Sequence, residues 1–356
     1  MKNFLICGIQ QVGIGVTNVA EAWKWYRTHF GMDIRMFEEA AIAQYMLPYT
    51  GNKPQKRHAV LAINMQGGGG FEIWQYTERT PQAPAFKPQL GDLGIFVCKM
   101  KSFDIAATHA RMEKDGLNIT PLMADPKGEQ TFFVTDPYNN IFQFVPCTNK
   151  FYDEKKDNGG VHGAIIGVSD IDKALPVYMD ILGFDKIVYD VAGTPADLKN
   201  VNGGNKKFRR VLLGRTKEFD GPFSNILGRN GEIELVQAMD YSPKKIYEGR
   251  YWGDLGYIQI CFDIQGFIEL KGYCDTKGFP YTVNTLSKLN QSFDMGEAAG
   301  HFAYIEDPDG SLIEMVETHK IPVIKKLGWF LDLSSREKGK RLPNWMLKTL
   351  RFNRVK

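Results

Sequence analysis

Across residues 9–16 (IQQVGIGV), Val12, Ile14 and Val16 fall on one side of the chain and Gln11, Gly13 and Gly15 on the other. A period of two predicts a half-buried strand. Residues 20–30 change to a helical period and stop at Gly31, a residue suited to a helix C-terminus. Strand-like runs follow at 40–47, 59–65 and 70–76. The order strand, helix, three strands begins again at residue 94, with a helix over 103–115 ending at Gly116 and strands near 118–122, 131–135 and 141–145. It restarts at 161 and once more at 257, so the pattern predicts four βαβββ units.

The units come in duplicated pairs. GVTNV at 15–19 returns as GVSDI at 167–171, GDLG at 91–94 returns at 253–256, and DPYNNIFQFV at 136–145 returns as DPDGSLIEMV at 307–316. The later copy is longer at 191–207 and 285–300, loop-like stretches that form either a lid over a cavity or plain surface. A βαβββ unit cannot bury its sheet face alone, but two side by side can curl into a shared open barrel with helices outside. The expected fold is therefore α+β, with four βαβββ units paired into two open β-barrel domains. These take residues 1–150 and 161–320, with a charged, Gly-terminated linker at 151–160 and a basic extension at 321–356.

The totals agree with this plan. A chain of 356 residues is too long for one core. Five cysteines are scattered without a CxxC, as expected of a reduced, cytoplasmic compartment. No apolar run approaches the ~20 residues of a membrane span, and the opening MKNFLICGIQQ reads as a strand rather than a signal peptide. The GGGG run at 67–70 lacks the helix and Lys-Ser/Thr of a phosphate loop and reads as a hairpin turn. The net charge of +3 hides an asymmetry: from Lys320 onward eleven Lys/Arg face two acids, a balance of +9, leaving −6 for the rest. That tail also carries Trp329, Phe330, Trp345, Met346, Leu350 and Phe352. Either it touches an anionic surface or partner, or its aromatics dock on the second barrel while its cations stay solvated. With no nucleic-acid motif beside the charge, a nucleic-acid partner is not expected.

Four tandem units, helices of the type AEAWKWYRTHFGM and KALPVYMDILGF, and the closing DPDGSLIEMV resemble the vicinal oxygen chelate superfamily, also called the glyoxalase/bleomycin-resistance/extradiol-dioxygenase superfamily. The resemblance covers roughly residues 5–150 and 160–320. It implies a small-molecule substrate or ligand. It also implies one divalent metal (Zn, Fe, Mn or Ni) held by His or Gln from the first strand of each unit and Glu from the last. One scaffold serves isomerases, lyases, dioxygenases and metal-free drug binders, so the fold alone does not choose among them.

On this sequence those positions are Gln11, Glu72, Ile95 or Val97, and Gln143 in the first half. In the second half they are Gly163 with His162 beside it, Glu234, Tyr257 or Gln259, and Glu314. An apolar third position and an amide in the fourth make the first half a degenerate copy. The second half is expected to hold the active cavity, with Glu234 and Glu314 as metal ligands or acid–base groups, His162 as a further ligand if a bulge re-aims it, and Tyr257 or Gln259 as a substrate-orienting donor. Trp74 and Tyr76 share the Glu72 face and, with His301, are candidate substrate-lining residues. The expected function is metal-assisted or carboxylate-mediated proton transfer on a small oxygenated substrate, of lyase or isomerase type, or less readily dioxygenation. The alternative is a metal-free small-molecule binding protein of the bleomycin-resistance type.

Overall fold

The computed structural model describes residues 3–286, 293–294, 299–324 and 329–356. The first unit runs β1 (Leu5–Gly15), α1 (Val19–Phe30), β2 (Ile34–Ala43), β3 (Gln55–Ile63) and β4 (Gly70–Tyr76). The second runs β5 (Gly94–Ser102), α2 (Ile105–Lys114), the short β6 (Asn118–Ile119) and β7 (Met123–Ala124), β8 (Gln130–Thr135) and β9 (Ile141–Pro146). The third has β10 (Asn158–Gly167), α3 (Ile171–Leu175), β11 (Lys186–Gly193), β12 (Phe208–Gly214), α4 (Ser224–Leu227) and β13 (Glu232–Ala238). The fourth has β14 (Gly256–Gln265), α5 (Phe267–Thr276), β15 (Val283–Asn284), β16 (Phe293–Asp294), β17 (Ala299–Glu306) and β18 (Leu312–Ile324). The tail adds β19 (Trp329–Asp332) and α6 (Asn344–Lys348). Helix α1 shows why these boundaries hold: Asn18 accepts from the Ala20 and Glu21 amides, and Gly31 closes the helix at φ 68°.

The units do not pair within halves. β1 lies antiparallel to β14, joining the first unit to the fourth in a sheet that we term barrel A. β5 lies antiparallel to β10, joining the second unit to the third in barrel B. The expected division at 151–160 is therefore corrected. That segment carries the chain from β9 into β10 inside barrel B, and β10 already begins at Asn158. The chain crosses between barrels at 77–93 and 239–255 instead. Each GDLG turn clasps the opposite crossing: Asp92 accepts from the Lys244 amide, and Asp254 accepts from the Gln82 amide while ion-pairing with Arg79.

Each half is nevertheless stitched on the helix side, which accounts for the repeated DPYN/DPDG hairpins. Tyr26 on α1 donates to Asp136 at 2.5 Å, and Tyr178 donates to Asp307 at 2.9 Å. The insertion at 191–207 is tied down, with Asp197 paired to Arg210 and Asn202 bonded to Pro88 and Leu90 of a crossing. Most of 285–300 lies outside the described residues.

The tail departs from the expectation that its aromatics dock. Its aliphatic side chains Leu333, Leu342 and Leu347 are buried with Ile34, Ile63, Ile226 and Leu227. Arg354 pairs with Asp33 and Glu154. Trp345 and Phe352, expected to dock, are 68% and 76% exposed.

Candidate functional site

The inner face of barrel A is shaped by two bulges. Between the Ile9–Phe262 and Gln11–Cys261 pairs, Gln10 is extra. Between Val12–Ile260 and Ile14–Tyr257, the single residue Gly13 faces both Ile258 and Gln259. The second bulge breaks the shared parity of Tyr257 and Gln259. Tyr257 joins the helix-side core, where its hydroxyl donates to the Ile141 carbonyl at 2.6 Å, and it is not a site residue here. Gln259 turns inward, over Gly13. A Cβ at Gly13 would stand 2.5 Å from the Gln259 Oε1, so only glycine leaves that amide its place.

Four buried side chains meet there, each from a different strand: Gln11 (β1), Glu72 (β4), Gln259 (β14) and Glu314 (β18). Gln259 Nε2 donates to Glu72 Oε2 at 2.9 Å and lies 3.4 Å from Glu314 Oε2. Gln11 Nε2 reaches the same two oxygens at 3.3 and 3.5 Å. Trp252 Nε1 donates to Gln259 Oε1 at 3.2 Å, whereas the buried Gln11 Oε1 has no partner. Pairing the residues by halves therefore misassigned them: Gln11 and Glu72 share a site with Gln259 and Glu314, not with Gln143.

Neither carboxylate forms an ion pair among the described residues. Arg57 acts on Glu72 only from a distance and is itself paired with Glu39. Burial, and then the Glu72 charge, push the Glu314 carboxyl up to about 8 against hydrogen bonds from Cys261, Tyr304 and Gln259. Burial also raises Glu72 above the usual carboxylate range. Two buried acids with amide donors but no cation form a costly arrangement that a cation would relieve. Among the described residues no three His, Cys, Asp or Glu side chains converge, so a metal set here must include the amides. A half-turn of the Gln11 amide sacrifices no bond of its Oε1 and presents an oxygen. Gln259 can do the same by exchanging its Trp252 bond. The four donors thus fit a divalent cation, and an all-oxygen set suits Mn best of the four metals expected.

This electrostatics has a pH signature. A carboxyl raised from 4.5 to about 8 by folding contributes stability that is present below 4.5 and lost as pH rises through about 8. Chelator-treated protein is expected to lose urea stability across that window. A saturating divalent cation is expected to flatten the slope, because bound carboxylates are ionised. Unfolding midpoints measured across the window check both.

Barrel B is the internal comparison. The register makes Gly163, Glu234, Val97 and Gln143 the counterparts of Gln11, Glu72, Gln259 and Glu314. Here the cations are supplied by the chain. Lys99 Nζ stands 3.0 Å from Glu234 Oε2 and 3.6 Å from Glu232 Oε2, and Arg210 Nε donates to Glu234 Oε1 at 2.8 Å. Burial pushes Glu234 up, but Arg210 and Lys99 outweigh it and hold the carboxyl at about 2. Gln143 donates only to Thr131. Glu234 and Glu314 lie in different barrels and cannot act as partners.

Residues 8–144 match the family model of the Glyoxalase/Bleomycin resistance protein/Dioxygenase superfamily. Glyoxalase I from Zea mays superposes with a TM-score of 0.52 at 13% identity, over 97% of this chain and 96% of its own. The chain has a glyoxalase-type fold. A point mutant of the maize enzyme gives a TM-score of 0.55 at 13% identity, over 89% of this chain and 94% of its own. A Bacillus subtilis subsp. subtilis str. 168 protein described as a candidate dioxygenase gives 0.51 at 14% identity, over 99% and 97%. No curated protein matches in sequence.

In this glyoxalase-type frame the remaining sequence candidates separate. Trp74 and Tyr76 do lie in barrel A, but Trp252 packs against Trp74 at 4.8 Å and its carbonyl accepts from the Tyr76 hydroxyl. His301 is turned to the helix side, against Phe267 and Thr285, away from the donors. His162 does face the interior of barrel B, 4.0 Å from Glu232, and burial holds its imidazole down at about 3, hence neutral. It is remote from the four-donor cluster. Lys99, Arg210 and Trp252 were missed. Lys99 shares the parity of Val97 and could have been found by following that strand one step further.

Proposed function

We propose that barrel A is the active site of a metal-dependent enzyme that moves a proton on a small substrate bearing two adjacent oxygens, by lyase- or isomerase-type chemistry. One observation carries this reading: barrel B answers its buried glutamates with Lys99 and Arg210, whereas Glu72 and Glu314 have two amides and no ion pair among the described residues. A bound divalent cation would supply Lewis-acid polarisation of a substrate oxygen. Gln11, Glu72, Gln259 and Glu314 would hold it, with Trp252 steadying Gln259. With the cation bound, the Glu314 carboxylate would be ionised and so able to accept the substrate proton and return it. The aromatic cluster of Trp74, Tyr76, Trp252 and Tyr304 keeps bulk water from these groups. Among the described residues no histidine joins the four donors, which favours proton transfer over dioxygenation. Five cysteines outside any disulfide fit a cytoplasmic setting.

A second reading, a metal-free binding protein, draws on that same aromatic cluster. Reconstituted protein incubated with 2-hydroxycarbonyl compounds in heavy water separates the two. Deuterium should enter the carbon next to the carbonyl, with the rate falling by ~10²–10⁴-fold in a Glu314→Gln variant assayed at saturating cation. Protein that stays metal-free after supplementation with Mn, Ni, Fe and Zn in turn sinks the enzyme reading and leaves the binder.

A further inference from the structure

The chain has a second functional surface on its basic tail, away from the four-donor cluster. Residues of α6 and the 3-10 turn that continues it (Thr349–Asn353) form one helical stretch. Leu347 is buried on one side of it, with Met346 and Leu350 packed beside it on the cluster of Ile34, Ile63 and Leu342. Trp345 lies in α6 and Phe352 in the 3-10 turn that continues it, with Lys348 and Arg351 between them in the chain. Trp345 is 68% and Phe352 76% exposed. Two large aromatics left in water on a segment that buries its leucines are not there for the core.

The charge around them has one sign. Residues 344–356 contain Lys348, Arg351, Arg354 and Lys356 and no acid. Arg354 is spent on Asp33 and Glu154. Lys348 and Arg351 form no ion pair among the described residues; they lie over the Tyr152 ring at 5.3 and 5.9 Å. The stretch thus offers two exposed aromatics with two cations free of ion pairs among the described residues, on a chain whose residues before Lys320 carry a net −6.

We propose that this face seats on an anionic phospholipid membrane surface. Tryptophan and phenylalanine enter the headgroup boundary while lysine and arginine meet lipid phosphates and carboxylates. Membrane docking needs only a few protruding apolar side chains with cations beside them. A stable protein interface needs about 800 Å² per partner, which two aromatic side chains and a single helical turn do not offer. Attachment is reversible and weakens with salt, because one short face supplies both the apolar and the electrostatic contribution.

The test is co-sedimentation of the full-length protein with vesicles of phosphatidylcholine, with or without phosphatidylserine. Binding is expected only to the phosphatidylserine vesicles. It should fall about fivefold for each charge removed in Lys348→Gln and Arg351→Gln, and at least about tenfold in Trp345→Ala/Phe352→Ala. Since all four side chains project outward or lie over a surface ring, the melting temperature should stay within a few degrees of wild type, and it is measured alongside. Equal binding to both vesicle types overturns the proposal. So does a double aromatic variant that binds like wild type, or retention on duplex DNA or RNA without retention on vesicles.

Discussion

Replacing Glu314 with glutamine is expected to lower the affinity for Mn²⁺ by at least ~100-fold while the fold survives. The figure is the upper end of what loss of an outer hydrogen-bond partner of a metal ligand costs, and Glu314 is proposed as a ligand. The substitution is nearly isosteric, and barrel B already carries a glutamine, Gln143, at the matching position. The variant should also gain where wild type loses. Glutamine does not ionise, so metal-free Glu314→Gln protein should lack most of the stability loss that wild type suffers as pH rises from 4.5 through about 8. Equilibrium dialysis with Mn²⁺ and urea unfolding of the chelated protein give the two readouts. Wild-type Mn²⁺ affinity in the variant would remove Glu314 from the site.

Replacing Lys99 with methionine is expected to destabilise the protein by about 3–5 kcal/mol, the range for removing one partner of a buried ion pair. Lys99 and Glu234 are both almost wholly buried, and Glu234 Oε2 would lose the Lys99 ammonium that stands 3.0 Å away. The pH dependence follows. Glu234 is held at about 2 against the ordinary 4.5, so its contribution is present above 4.5 and lost as pH falls toward 2. In Lys99→Met protein the acid-side loss should shrink, because less remains to lose. A Lys99→Met/Glu234→Gln double variant should recover part of the stability, since the uncompensated charge goes with the carboxylate. Urea titrations of the single and double variants measure this. A single-variant loss below ~1 kcal/mol would put the pair in the class of surface ion pairs and undo the claim that barrel B carries a built-in cation.

How far the fold could be read before the structure depended on where each strand sits. β4 was legible to the residue because its two faces differ, Phe71 and Ile73 against Glu72 and Trp74, and both are bounded by turns. β2 was placed six residues late, at 40–47 rather than Ile34–Ala43. It is an edge strand of barrel A with both faces largely in solvent, so the alternation that marks a buried strand is weak. The donors were legible one by one, since each occupies a position that the repeat makes comparable. Their grouping was not. Which unit pairs with which depends on contacts between distant strands, and no local period encodes it. Tyr257 and Gln259 could not be separated for a related reason: a bulge opposite Gly13 reverses parity without leaving a mark in the strand itself.

The pairing of the first unit with the fourth governs how barrel A comes into being. Gln11 and Glu314 are 303 residues apart in the chain. At a synthesis rate of about 5–20 residues per second, Gln11 would wait roughly 15–60 s for Glu314 to leave the ribosome, and β1 nearly as long for β14. Barrel B, built from adjacent units, closes first in that interval. Until the last unit emerges, β1 presents an open, apolar edge whose natural risk is pairing with a neighbouring nascent chain. Quality control of this protein therefore falls on its N-terminal strand, although the event that protects that strand is the arrival of the C-terminal unit.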